Sequence, residues 1–381
     1  MEVHSETYED DLYDNLDFRA TYPNCSVVVE GATYRGSYYI RSQAEANGLK
    51  GCSSLVADIE VLNCSPNVTS ISLEDLKVLE GMLVVSWCDG LQNFSAPVLE
   101  SIKTSGYYNA LTFYSLPRLT SIQAPSLQVL RGGLTLGETP LLSTVVTSLK
   151  HGVSGNILIA NTSLKTVDFL LSGPDNPTVN LEHTSHTTDL IINDNPVLEH
   201  ITVPGTTFGN VSIYNNGLFA HAYINLPDLQ SCARFFISGA ISLDVPELVN
   251  VQYDLSIIES SMVSLSLPKL DKVGYDILIA NNTLLESFNS SLSGQGSYPL
   301  DNNMMTISDN PLLFNINLQR LGTLGADTII SSPAASLIGL DHLYSFGVLN
   351  ISGNFSRHAY LPLPTQYELT YNPALCFLHI K

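Results

Sequence analysis

Residues 190–198 read LIINDNPVL, and residues 305–313 read MTISDNPLL. The two stretches share a nine-residue pattern, which is apolar at positions one and three, Asn at six, Pro at seven and Leu at nine. The pattern recurs, with variation at positions six and seven, at residues 134–142 (LTLGETPLL), 277–285 (ILIANNTLL) and 367–375 (YELTYNPAL). Looser copies begin at residues 83, 111, 157, 211, 236, 255, 329 and 349. An internal repeat of about 20 to 28 residues therefore organises the chain.

The repeat predicts a coil of short strands. Alternating apolar residues at positions one and three place one face of a four- or five-residue strand in the interior. The Asn-Pro that follows favours a turn, because Asn tolerates left-handed backbone angles and Pro fixes its own. One coil cannot bury its apolar face alone, whereas stacked coils bury a continuous core. The sequence therefore predicts a mainly β protein, a single right-handed parallel β-solenoid of about 12 to 13 coils.

The repeats also set the domain boundaries. Residues 1–24 are acidic and lack the features of a secretory signal, so we expect a disordered tail. Residues 25–376 are the predicted solenoid, with its longest inter-coil insertion near residues 172–188. Residues 377–381 are a predicted short tail, without the pattern of a lipid-anchor signal. No run of 18 apolar residues occurs, which predicts that no helix of this chain spans a membrane.

Composition excludes two classes of protein. The chain has 381 residues, with 36 acidic and 16 basic side chains and a formal net charge of −20. Its hydrophobic share of 44% argues against a disordered acidic chain, which would also need low hydrophobicity. Nucleic-acid binding requires clustered Lys and Arg, which this chain lacks. We therefore expect no nucleic-acid partner.

Position six of the repeat carries a row of asparagines. The row consists of Asn195, Asn216, Asn282, Asn310 and Asn372. Such residues are expected to stack inward and to hydrogen-bond the turn backbone of the next coil. A ligand-binding ladder is the alternative interpretation.

The cysteines follow the same repeat. Cys64 and Cys88 both fall at position six, one coil apart, so their Cα atoms are expected about 5 Å apart, within disulfide range. Cys25 and Cys52 are separated by a similar stretch and form a second candidate pair. Two bridges at one end would indicate an oxidising compartment, and free thiols are the alternative. Two cysteines have no evident partner: Cys232 and Cys376.

Sequons for N-glycosylation are frequent, which favours a secreted protein over a cytoplasmic one. The ten sites are Asn24, Asn63, Asn67, Asn93, Asn161, Asn210, Asn281, Asn289, Asn350 and Asn354. Asn281 precedes position six and is expected to point outward, whereas Asn354 falls at position six and is expected to be buried. The predicted acceptors are Asn67, Asn93, Asn161, Asn210, Asn281, Asn289 and Asn350.

Catalytic and metal-binding patterns are weak. The sequence has no GxSxG, HExxH or P-loop motif, so we expect neither an enzyme nor a cofactor. Glu182, His183, His186 and Asp189 cluster in the longest insertion, where a solvated loop is favoured over a metal site. Two further groups could serve sugar chemistry: Asp194 with Asp309 as an acidic pair, and as stacking aromatics Trp87, Tyr107, Tyr108, Tyr214 and Tyr371. We expect the pair to lie several coils apart, and scattered exposure explains the aromatics.

Residues 40–52 read IRSQAEANGLKGC. This stretch resembles the N-terminal cap of fungal GPI-anchored cell-wall organisation proteins, in which a strand, a Ser-Gln, a short helix and a Leu-x-x-Cys follow one another. Ser42 and Glu45 form a capping-box pattern that would start such a helix. Across about residues 25–376 the repeats, the sequons and the segment ISGNFS at 351–356 are similar to the same family, which is related to receptor L domains of leucine-rich-repeat-like form.

The resemblance implies a function. It implies a non-enzymatic extracellular glycoprotein, held at the cell surface or wall by a GPI anchor, that supports wall organisation and integrity. Its implied partners are wall polysaccharides or other wall and surface proteins. Two alternatives remain open: a carbohydrate-active β-helix enzyme, which needs converging carboxylates, and a ligand-binding receptor-like ectodomain, which needs an exposed apolar patch.

Overall fold

A computed structural model describes residues 36–104, 109–149, 153–170, 188–217, 222–295, 303–318, 320–322, 327–334, 337–339, 348–353, 369–372 and 377–380. The chain forms a parallel β-solenoid of about 11 turns with one short helix near the N-terminus. The predicted solenoid fold is therefore confirmed, with slightly fewer turns than the repeats suggested. The predicted acidic tail and nearly all of the insertion at 172–188 lie outside the described residues.

The main sheet carries positions one to four of each coil. Its strands pair in parallel and in register, so that equal positions of the repeat lie side by side. The parallel strands are Ser37–Ile40, Asp58–Leu62, Leu83–Ser86, Asn109–Tyr114, Gly133–Thr139, Ile157–Thr162, Leu190–Asn193, Thr207–Tyr214, Ser231–Ser238, Leu255–Ile258, Ile277–Ala280, Met304–Ser308, Asp327–Ser332 and Val348–Gly353. Three short strands extend this sheet: Asn250–Val251, Lys272–Val273 and Gly294–Gln295.

Shorter strands form the other faces of the solenoid. Three sheets follow the turn after the main strand: Ser70–Ser72, Asn93–Ser95, Ser121–Gln123 and Thr144–Val146; His200–Thr202, Ala222–Asn225 and Ala240–Asp244; and Ser264–Leu267, Ser287–Ser290, Asn315–Asn317 and Leu337–Gly339. A further sheet precedes the main strands: Ser54–Leu55, Val78–Leu79, Ser101–Lys103 and Val129–Arg131. Two single-turn 3-10 helices lie at Asn47–Leu49 and Asp168–Leu170.

Stacked rows of aliphatic side chains build the core. At position one, Ile59, Leu83, Leu111, Leu134 and Ile157 lie in successive strands and are each no more than 5% exposed. Full burial of such a side chain contributes about 1.5–3 kcal/mol. Because each coil covers the row of its neighbour, the core continues from turn to turn and the stacking itself stabilises the fold.

A left-handed residue at position five marks the bend after the inward positions of the main strand in coil after coil. Those with positive φ and a side chain are Asn63, Trp87, Ser115, Glu138, Asn161, Asp194, Asn215, Glu259, Asn281 and Asp309, with φ between 50° and 58°. The turn was predicted from the Asn at position six, and that detail is wrong for the sharp bend. Asp194, at φ 56°, makes the bend, and the following Asn195 points inward.

The predicted N-terminal helix is present at Gln43–Ala46. Ser42 is its N-cap, and the Ser42 hydroxyl accepts a hydrogen bond from the Glu45 backbone N–H at 3.3 Å. The Glu45 carboxylate accepts in turn from the backbone N–H of Arg41. The two bonds satisfy donors that would otherwise be unpaired at the start of the helix.

The C-terminal strands depart from the prediction. Residues 377–381 were predicted as a tail, and residues 367–375 as a further parallel coil. Instead, Phe377–Ile380 forms a strand that pairs antiparallel with both Val348–Gly353 and Leu369–Asn372. The nine-residue pattern at 367–375 specifies alternation and a turn, but strand direction depends on the partner.

Trp87 offers a test of the turn geometry. It is 57% exposed with φ 50°, a conformation that costs an L-residue with a bulky side chain about 1–2 kcal/mol. Trp87→Asn is expected to raise the free energy of unfolding by about 1 kcal/mol, because Asn tolerates this conformation. Urea unfolding followed by circular dichroism measures the change.

Leu284→Asn is the matched control. Leu284 is also an exposed apolar residue near a turn, at 46% exposure, but has no positive φ. The Leu284→Asn variant should show no comparable gain in the free energy of unfolding. Equal changes in both variants would contradict the strain at Trp87.

Candidate functional site

The position-six asparagines form an inward row. Asn195, Asn216, Asn282 and Asn310 are each at most 2% exposed. Their side-chain amides donate to main-chain carbonyls at position three of the preceding coil: Asn195 to Ile159 at 2.9 Å, Asn216 to Ile192 at 2.8 Å, Asn282 to Ile257 at 3.1 Å and Asn310 to Ile279 at 2.9 Å. The row therefore bonds to the preceding coil, whereas the prediction placed these bonds on the next one.

The amide oxygens bond to the same preceding coil. Asn195 Oδ1 accepts from the Thr162 backbone N–H at 3.0 Å, and Asn310 Oδ1 accepts from the Asn282 backbone N–H at 3.0 Å. Neighbouring amides also bond directly, as Asn282 Nδ2 does to Asn310 Oδ1 at 3.0 Å. These contacts use the amides inside the solenoid, so the row holds the coils together and does not face a ligand. The side chain of Asn372 lies outside those that the structure describes.

Hydroxyl residues extend the row where Asn is missing. Thr162 Oγ1 donates to Asn195 Oδ1 at 2.8 Å, and Ser260 Oγ donates to the Ile258 carbonyl at 3.0 Å. Ser332 Oγ bonds the carbonyls of Asn310 and Leu313. The sequence interpretation missed these members because it looked for Asn alone. Position six identifies Thr162 and Ser260, whereas the strand register places Ser332 at position five.

At the N-terminal end, cystine replaces the polar row. Cys64 and Cys88 form a disulfide with Cα atoms 4.7 Å apart, which confirms the predicted pair. Both residues are buried, and the Cys64 backbone N–H lies 3.2 Å from Cys88 Sγ. The disulfide therefore links successive coils at the site where asparagines do so further along the chain.

The other cysteines divide into two groups. Cys52 is disulfide-bonded. Its predicted partner, Cys25, lies outside the described residues, as does Cys376, so the Cys25–Cys52 pair stays a prediction. Cys232 is a free thiol, 3% exposed, and burial raises its pKa to about 12. Such a thiol is protonated and unreactive at neutral pH.

Most of the predicted glycosylation sites lie on the surface. Asn67, Asn93, Asn161, Asn281 and Asn289 are exposed, and Asn63 is exposed as well. Asn210 is half-buried, and its side chain donates to Asp189 Oδ1 at 3.0 Å, while Asn350 is also half-buried. Asn24 and Asn354 lie outside the described residues. Exposure makes attachment sterically feasible at the first group, and occupancy stays a prediction.

The main sheet has more strands than any other sheet of the described residues, and its outer face is a regular surface. Positions two and four of each strand point outward, because successive side chains alternate between the faces of a sheet. From Val84 onward the described outward residues are Val84, Ser86, Thr112, Tyr114, Thr135, Gly137, Leu158, Ala160, Ile191, Asn193, Ser212, Tyr214, Phe236, Ser238, Ser256, Ile258, Leu278, Ala280, Thr306, Ser308, Ile329, Ser331, Asn350 and Ser352. None of these position-two and position-four residues is charged, whereas Arg234, one residue before position one of the strand Ser231–Ser238, is exposed on the same face.

Carboxylates border this face on both sides. Along the position-five edge lie Glu138, Asp194, Glu259 and Asp309, all exposed. Along the opposite edge lie Asp58, Asp189, Asp254 and Asp276. Several of the latter accept backbone hydrogen bonds from the next coil, as Asp276 Oδ1 does from Met304 at 2.8 Å. The face is therefore neutral with acidic borders.

Aromatic side chains lie on this face and beside its Asp254 and Asp276 edge, because Tyr214 and Phe236 are in main strands whereas Tyr253 and Tyr275 immediately precede them. The Tyr214 and Phe236 rings meet edge to face with centroids 5.9 Å apart, and those of Tyr253 and Tyr275 are 5.6 Å apart. The Arg234 guanidinium lies 5.6 Å from the Tyr253 ring centroid, and Arg234 and Phe236 share one face of the strand Ser231–Ser238. We call Tyr214, Phe236, Arg234, Tyr253 and Tyr275 the aromatic band.

Sequence reasoning found only one member of this band. Tyr214 was singled out, but Tyr107, Tyr108 and the Tyr371 side chain are not described, and Trp87 is exposed at its turn. A usable signal was present: the phrase Val-x-Tyr-Asp occurs at residues 251–254 and again at 273–276, each time just before a main strand. The nine-residue pattern does not include those positions.

In the described ranges, no group of three or more His, Cys, Asp or Glu is arranged to hold a metal ion. Three members of the considered metal cluster, Glu182, His183 and His186, lie outside those ranges. The helices of the described part are too short or too polar to cross a bilayer. Asp194 and Asp309 occupy equivalent turns of coils that are far apart in the stack.

No protein-family model and no curated protein matches the chain.

The buried row predicts unequal effects for two similar substitutions. Thr162→Val removes a hydroxyl that donates to Asn195, and it leaves a buried amide oxygen short of one partner. We expect a loss of about 1–3 kcal/mol in the free energy of unfolding, measured by urea denaturation. Thr139→Val at another coil's position six is the control, because Thr139 Oγ1 is buried without a hydrogen-bond partner. That variant should be neutral or slightly stabilising, and equal losses would contradict a hydrogen-bonded row.

Cys232 provides a prediction on reactivity. Since its pKa is about 12, the thiol is protonated at pH 8, and iodoacetamide should modify it about 100-fold or more slowly than an exposed cysteine. Denaturation in urea should abolish this protection. Peptide mapping by mass spectrometry identifies the labelled residue, and rapid labelling in the folded protein would disprove the burial.

Proposed function

We propose that this chain is a non-enzymatic extracellular glycoprotein of the fungal cell surface or wall that supports wall organisation and integrity. The Cys64–Cys88 disulfide carries the proposal, because structural disulfides form and persist in oxidising compartments. Its position inside the core, at the row that links successive coils, favours a structural bond over a transient redox pair.

Exposed sequons support the same compartment. Asn67, Asn93 and Asn289 lie on the surface, and Asn161 and Asn281 lie at exposed turns. Glycans at these positions would project from the turns and from the shorter sheets that follow the main strands. The outer face of the main sheet would then be left accessible to a partner in the wall.

The family resemblance supplies the finer part of the proposal. In the N-terminal cap, the capped helix at Gln43–Ala46 and the disulfide-bonded Cys52 agree with the form that the resemblance implies. Attachment by a GPI anchor and a role in wall integrity rest on the resemblance alone. The partners proposed are wall polysaccharides or wall proteins.

Secretion and glycan mass test the compartment. The chain, fused to a yeast secretion leader, should reach the medium with several N-glycans and with Cys64 and Cys88 oxidised. Intact mass before and after enzymatic deglycosylation reports both properties. Asn93→Gln and Asn289→Gln should each lower the mass by one glycan. Asn315→Gln is the control, because Asn315 lies in a strand beside that of Asn289 but starts no sequon.

A folded product with no glycan and with Cys64 and Cys88 as free thiols would overturn the extracellular assignment. Fractionation of fungal cells that express the tagged chain tests the wall assignment separately. The expected location is the membrane and wall fraction, and a purely cytosolic location would contradict it.

A further inference from the structure

We infer that the aromatic band is a binding site for an uncharged polysaccharide chain. The inference rests on the proposed function and names the surface that would contact the wall. The band spans four adjacent coils, so it extends about 15 Å along the solenoid axis at about 4.8 Å per coil. That length suits an extended oligosaccharide better than a single small molecule.

The side chains of the band combine apolar ring surface with polar groups. Each of its four rings is half-buried, which leaves part of each ring in solvent while the rest is fixed by neighbours. Rings held in this way lose little conformational entropy on binding. Sugars present both C–H surfaces and hydroxyl groups, and an aromatic platform with adjacent hydrogen-bonding groups fits that mixture.

Polar groups flank the band at one end. Asn193 and Asn215 donate to the Asp194 carboxylate, the second at 3.1 Å, and all three residues lie beside Tyr214 on the main sheet or its exposed edge. An amide and carboxylate network of this kind can both donate to and accept from hydroxyl groups. These residues are therefore placed to orient a sugar that packs against Tyr214.

The backbone holds the other end of the band in place. The Tyr275 backbone N–H donates to the Tyr253 carbonyl at 3.0 Å, so the two rings follow each other in successive coils. Gly274 allows this close approach, because a Cβ atom there would lie 1.9 Å from the Gln252 carbonyl oxygen. The ring pair is thus part of the folded scaffold.

Charge selects the class of polymer. Arg234 is paired with Asp254 at 3.3 Å, so the one basic group of the band is neutralised locally. Carboxylates border the face on both edges, and the net charge of the chain is −20. An anionic polymer would be repelled, and a second copy of this chain would bring two acidic borders together. A neutral glycan is not repelled by the acidic borders and brings no acidic border of its own.

Binding to defined polysaccharides tests the site. The probes are laminarin as a soluble β-glucan, insoluble chitin, and polygalacturonate as an anionic polymer, measured by calorimetry or by co-sedimentation. We expect a neutral probe to bind and polygalacturonate not to bind. Tyr253→Ala should weaken binding of the neutral probe about ten-fold, whereas Tyr253→Phe should retain it.

Tyr223→Ala is the matched control. Tyr223 is 46% exposed and stacks on His200 with centroids 5.0 Å apart, but it lies in a different sheet. That variant should bind as the unmodified protein does. Arg234→Ala, whose side chain is 62% exposed, gives a second test should Tyr253→Ala fold poorly, and it should also weaken binding.

Three results would overturn the site: unchanged binding by Tyr253→Ala and Arg234→Ala, equal binding of polygalacturonate, or no binding of either neutral probe. A protein partner captured through Tyr253 in place of a glycan would also overturn it. Each of these results leaves the glycan and disulfide tests of the extracellular assignment unaffected. Failure of the site and failure of the proposed function are therefore distinguishable.

Discussion

The structure depends on how each coil turns the corner after its main strand. There the backbone must bend sharply, and its N–H and C=O groups point into an apolar interior where water cannot reach them. A left-handed residue at position five makes the bend, and in most described coils the side chain at position six bonds a neighbouring coil. Asn195 and its equivalents meet this requirement with amides, Thr162 and Ser260 with hydroxyl groups, and Cys64 with a covalent bond. Because this turn recurs with the same bend and the same bonding position, equal positions of successive main strands pair in register.

Much of this arrangement was predictable because the core repeats. Ile59 and Leu83 identify position one, and the 24-residue separation of Cys64 and Cys88 places both at position six. Two features were not predictable from the pattern. Residues as different as Trp87 and Glu138 occupy the left-handed position, because the neighbouring coils impose that conformation whatever the side chain. Strand direction at the C-terminus depends on pairing with Phe377–Ile380, which no local pattern encodes.

The candidate binding surface was harder to predict for a related reason. A repeat is recognised by the residues that it constrains, and these point inward. The pattern predicted Phe236 at the inward position one, which is wrong, because the register puts Phe235 there and Phe236 at the outward position two. Tyr253 and Tyr275 precede the pattern altogether. In a solenoid, inward residues therefore stabilise the packing of the coils, whereas outward residues can vary and can form a binding surface. The neutral face and its acidic borders emerge only when the coils are aligned in register.

Trp87 is the one tryptophan of the chain, and it lies at a turn near the N-terminal end of the stack. In a linear array each turn contacts only its neighbours, so the two ends can melt at different denaturant concentrations. Emission from the indole reports the first turns alone, whereas far-ultraviolet ellipticity averages over all of them. The difference between the unfolding midpoints from indole emission and from far-ultraviolet ellipticity therefore measures over how many turns unfolding is cooperative.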